Sequence, residues 1–121
     1  MSQANRQPCN PLAPLRTTVA SIEYELDTVS LRYLSVAKLK SYERSLLYVF
    51  KEIRGLSKAV VMQCMSSRDA VLNSMRQALD QLGLAIFQLE QKDDKGINSQ
   101  FHKHLRSCRA YLEEALRYWP S

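Results

Sequence analysis

The residues best suited to chemistry in this chain are cations. Lys40, Arg44, Lys51, Arg54 and Lys58 recur at spacings of 4, 7, 3 and 4. At ~100° per helical residue they fall within a strip ~80° wide. Glu43 and Glu52 project to either side of that strip, and the apolar residues take the opposite half. Like charges one turn apart repel by a few tenths of a kcal/mol, so the row is costly for the chain alone. A phosphate backbone turns that repulsion into attraction and releases counterions. Tyr48 flanks the strip at ~80° from Lys40, where its ring suits stacking on a base or sugar.

A weaker row recurs near the C-terminus. His102, Arg106 and Arg109 lie within ~60° of one another on a helical wheel, Arg117 lies beside them, and Glu113 interrupts the row. If both rows face one way, they line a groove. Two other readings of the charge stay open: a solvated helix face, and a surface for an acidic protein partner.

Other chemistry is poorly supplied. His104 and Cys108 sit one turn apart, but two ligands do not make a zinc site, and no second Cys/His pair has zinc spacing. Glu113 and Glu114 are adjacent, so a helix splays them ~100° apart and they form no acid/base pair. Asp93 and Asp94 fall in a polar stretch. Cys64 and Cys108 read as small apolar residues on buried faces, and Cys9 as a residue of a flexible arm. There is no Gly-rich phosphate loop and no dinucleotide fingerprint. The expectation is a non-enzyme without metal or cofactor.

The elements that position these cations follow from spacing. The chain has 121 residues, 45% apolar and 24% charged, with a net charge of +5; that suits one globular domain. Three of the four prolines precede residue 15, and none falls between Leu15 and Trp119, which favours long helices. Residues 1–12 read as a flexible arm and 13–121 as the folded domain. Leu15, Val19, Ile22, Leu26, Val29, Tyr33 and Val36 form a heptad seam. A turn is expected near 37–40.

A second helix then covers 40–65, with Tyr42, Leu46, Val49, Ile53, Leu56, Val60 and Cys64 on one face. The apolar phase persists across Gly55, so the helix is expected to continue through it. The competing reading ends the helix there and caps another with Ser57. "SSRD" at 66–69 predicts a helix start capped by Ser66. That third helix buries Val71, Met75, Ala78, Leu82, Ala85 or Ile86, and Leu89. "QKDDKGINS" reads as a loop. Asn98 or Ser99 caps a fourth helix burying Phe101, Leu105, Cys108, Leu112, Ala115 and Trp119, and Pro120 stops it.

The fold class expected is all-α, an antiparallel up-down bundle of about four helices. The odd count of three cysteines, their wide spacing and the polar N-terminus predict a reducing, cytoplasmic location without a membrane span. The function expected is sequence-independent binding of a nucleic-acid backbone, as an accessory subunit among other protein subunits of a nucleoprotein assembly. Oligomers are compatible with it. The alternative is a helical adaptor that meets an acidic protein or assembles through the 15–36 seam. In size, charge and helicity the chain is similar to the small helical subunits of CRISPR effector complexes and to the basic accessory bundles of diversity-generating retroelements, a likeness of profile without a shared motif.

Overall fold

The structure, a computed structural model, describes residues 9–28, 34–91 and 99–120. They form five α-helices and one 3-10 turn, with no strand among the described residues. The helices are α1 (Ala13–Thr28), α2 (Val36–Arg54), α3 (Lys58–Cys64), α4 (Arg68–Glu90) and α5 (Ser99–Arg117). The turn, Asn10–Leu12, leads into α1.

Each long helix buries the stripe that its sequence period defines. Val19, Ile22 and Leu26 of α1 are buried, as are Tyr42, Leu46, Val49 and Ile53 of α2. On α4 the buried set includes Val71, Met75, Ala78, Leu82, Ala85, Ile86 and Leu89, and around α5 it includes Phe101, Leu105, Cys108, Leu112, Ala115 and Trp119. All join one apolar core. Each fully buried large aliphatic side chain contributes roughly 1.5–3 kcal/mol. The packing runs from α1 to α2, α2 to α4, α4 to α5 and α5 back to α1. α2 and α5 therefore occupy opposite corners.

Two boundaries differ from the sequence reading. α2 begins at Val36 rather than after a turn at 37–40. Ser35 sits in extended backbone, and its hydroxyl accepts a hydrogen bond from the Lys38 amide at 3.1 Å. Such a cap is worth about 1 kcal/mol. α1 is described as far as Thr28, and Val29 and Tyr33 of the heptad seam lie outside the described residues. So does most of the expected 91–99 loop. The second difference matters most: the helix does not continue through Gly55. α2 ends at Arg54, and Ser57 caps the separate α3 by accepting from the Val60 amide at 3.3 Å. The Arg68 guanidinium donates to the Leu56 carbonyl at 2.7 Å, which satisfies a backbone acceptor left over at the break.

Smaller corrections fall at the ends. Ser67, not Ser66, caps α4, accepting from the Ala70 amide at 3.2 Å. Ser66 instead donates from its amide and its hydroxyl to the Tyr118 carbonyl, at 3.0 and 3.2 Å. That contact ties the α3–α4 connection to the end of α5. Residues 9–12, placed by sequence in the flexible arm, are built into the fold: Leu12 is buried, and Cys9 forms a disulfide with Cys64.

Candidate nucleic-acid interface

Four of the five cations in the leading row stay on one helix. Lys40, Arg44, Lys51 and Arg54 are all exposed on the outer face of α2. At 1.5 Å per residue they span ~21 Å. The fifth, Lys58, is exposed but opens α3, beyond the break at Gly55. The row is therefore shorter than the sequence predicts, because Ser57 and Arg68 satisfy the backbone groups that a continuous helix would have paired.

The four are not equally free. Lys40 Nζ lies 3.2 Å from Glu90 Oε2 at the end of α4. The Arg54 guanidinium sits 5.6 Å from the centre of the Phe50 ring, a cation–π contact that leaves its charge in place. Arg44 and Lys51 meet no carboxylate among the described residues. Tyr48 is 59% exposed, and its hydroxyl donates to Glu52 Oε1 at 3.4 Å.

The second row does not join the first. α5 packs on α1 and α4, and its corner lies opposite that of α2, so the two outer faces line no common groove. Arg109 is half-buried and committed to internal charge. Its Nε lies 3.2 Å from Glu23 Oε1 and 3.2 Å from Asp27 Oδ1, and its Nη2 lies 3.5 Å from Glu113 Oε2. Neither Nε contact is an aligned hydrogen bond, so the attraction is between charges. Arg117 pairs with the same Glu113 at 3.4 Å. His102 is half-buried and meets the Phe101 ring edge-on at 5.9 Å. Only Arg106 of this row is exposed without a partner among the described residues.

His104 does not turn towards Cys108 chemistry. Its Nδ1 lies 2.8 Å from Gln81 Oε1 of α4. Cys108 is fully buried, and burial pushes its thiol up to about 12. Among the described residues no group of three His, Cys, Asp or Glu side chains could hold a metal ion, and no helix is long and apolar enough to cross a membrane. A cavity of about 750 Å³ lies beside the disulfide, lined by Leu12, Arg16, Gln63 and Trp119 among others. Arg16 Nε donates to the Trp119 carbonyl there, across the mouth between α1 and the C-terminal turn.

One feature of α2 escaped the cation count. Leu47 lies at ~−20° from Lys40, inside the basic strip, and is 41% exposed. On α4, Leu84 and Phe87 are 44% and 54% exposed. The sequence reading puts the apolar residues of this helix opposite the strip, and Leu47 is an exception to it. The chain matches no family model, no curated protein and no solved structure.

Proposed function

We propose that this chain is a non-enzymatic helical binding module that holds a nucleic-acid backbone on the outer face of α2. The observation that supports it is the triplet Arg44, Lys51 and Arg54, in phase on one helix, with no carboxylate partner among the described residues. Lys40 stands in the same row. Its pair with Glu90 is exposed on both sides, and such pairs contribute about 0–1 kcal/mol, so a phosphate competes with it readily. Arg109 takes no part, and Lys58 and Arg106 act at most as outlying contacts.

These side chains meet phosphate as charges and forks, which fixes position without reading sequence. In the same reading the four long helices run up and down in antiparallel order, and the module serves as an accessory subunit in a larger nucleoprotein assembly. The test is fluorescence anisotropy of a labelled random 20-mer with the parent chain and with the triple variant Arg44→Glu/Lys51→Glu/Arg54→Glu. Parent binding that drops at least tenfold in the triple variant supports the proposal. A parent that does not bind, or a variant that binds as well, removes it.

A further inference from the structure

Three contacts fix how α2 lies against α4. Lys40 meets Glu90 at 3.2 Å. A Cβ placed on Gly83 would find Glu43 Oε2 at 3.8 Å and nothing nearer. The Phe50 ring lies 5.6 Å from the Arg76 guanidinium. Residue numbers rise along one helix as they fall along the other. Phe87 lies one turn from both Gly83 and Glu90, which puts it on the α2 side of α4, and it is 54% exposed. Leu47 comes from the α2 side, at ~−20° from Lys40. The Glu43 carboxylate lies over the bare Gly83.

This side of the α2–α4 pair thus presents an exposed aromatic ring and an exposed leucine beside a cationic row. Glu43, Asp80 and Glu90 lie towards α4, with Arg76 among them. A polyanion is drawn to the α2 edge and pushed from the α4 edge. Its apolar parts alone can settle on the ring between.

Resting on the phosphate-binding reading of α2, we infer that the ligand is a single strand: its phosphates lie along Arg44, Lys51 and Arg54, and a base turns inwards onto Phe87. A duplex keeps its base faces stacked inside and has no flat surface to offer the ring. An unstacked strand does, and an aromatic platform beside a basic track is how single strands are held without sequence preference.

The experiment compares binding of a dT 20-mer, an rU 20-mer and a 20-base-pair duplex to the parent, Phe87→Ala and Phe87→Trp, with polyglutamate as a further ligand. Phe87 is largely exposed, and equal thermal midpoints confirm that the variants fold. Single strands that bind tighter than the duplex, weaken about tenfold in Phe87→Ala and recover in Phe87→Trp support the inference. Loss with only one of the two strands assigns the ring to that sugar and base chemistry. Should midpoints shift in Phe87→Ala, Leu47→Ala gives the same reading from the α2 side. Equal duplex binding with no effect at Phe87 overturns the single-strand inference and leaves the phosphate reading intact. Polyglutamate binding that depends equally on Phe87 overturns it in favour of an acidic protein. Binding of no ligand removes both readings together.

Discussion

Lys40 and Glu90 close the α2–α4 seam at its end, Nζ to Oε2 at 3.2 Å. The contact brings a cation of the candidate row next to the last residue of α4. It also makes Glu90 a built-in competitor for whatever anion the row takes.

Removing that competitor is expected to strengthen binding. In Glu90→Gln, affinity for a 20-mer should rise two- to fivefold. The thermal midpoint should move little, since an exposed pair contributes about 0–1 kcal/mol. Anisotropy and a melting curve read both; a fall in affinity contradicts the placement of Lys40 in the row.

Arg109 is expected to behave in the opposite way. It offsets Glu23, Asp27 and Glu113, joining α5 to α1. Arg109→Ala leaves three carboxylates facing one another and should cost roughly 1–3 kcal/mol in urea unfolding. Oligonucleotide affinity should stay within twofold. A large loss of binding without loss of stability would restore Arg109 to the interface.

The Cys9–Cys64 disulfide closes a long stretch of chain, with a sequence separation of 55. By the chain-entropy model its removal should cost about 4 kcal/mol. Cys9→Ser/Cys64→Ser, or the parent under dithiothreitol, should show a matching drop in urea midpoint. In the native oxidised chain, iodoacetamide should leave all three cysteines unlabelled, since Cys108 is buried. Prompt labelling of Cys9 under non-reducing conditions would contradict the bond.

Stability is expected to fall in alkali. Burial pushes Cys108 up to about 12 from 9.0. Burial first, and the neighbouring Glu25 carboxylate second, push Tyr42 up to about 12 from 10.0. Between those values the unfolded chain releases protons that the native state keeps. Stability is thus intact below pH 9 and lost as pH rises towards 12, at up to about 1.4 kcal/mol per pH unit per group. Urea midpoints at pH 8.5, 10 and 11 measure the slope. Cys108→Ala should remove the part that begins near pH 9, and Tyr42→Phe the part that begins near pH 10. A flat profile in the parent contradicts both burials.

The all-helical class and most of the core were legible because each buried stripe keeps a helical period over several turns, as in Leu46–Val49–Ile53 and Phe101–Leu105–Cys108. Breaks that keep the apolar phase were not legible in the same way. Nothing in the pattern of Ile53, Leu56 and Val60 distinguishes one bent path from one straight helix; Ser57 as a cap was the available signal, and it was outweighed by phase. Ser35 was missed for a similar reason, because no glycine or proline marks the start of α2. The Cys9–Cys64 pairing has no sequence signature, since spacing cannot assign partners. Periodicity put Arg44, Lys51 and Arg54 on one helix face, and all three are exposed on α2. It could not show that Glu90 reaches Lys40 or that Glu23 and Asp27 claim Arg109, because each of those contacts joins different helices.

The salt dependence of oligonucleotide binding tests the central claim most directly. Three phosphates neutralised by Arg44, Lys51 and Arg54 predict that log K falls against log salt with a slope of about −2 for a single strand. Arg44→Glu/Lys51→Glu should bring that slope to about −0.7 or abolish binding. A parent slope near zero, or the same slope in the double variant, would contradict a phosphate backbone held on α2.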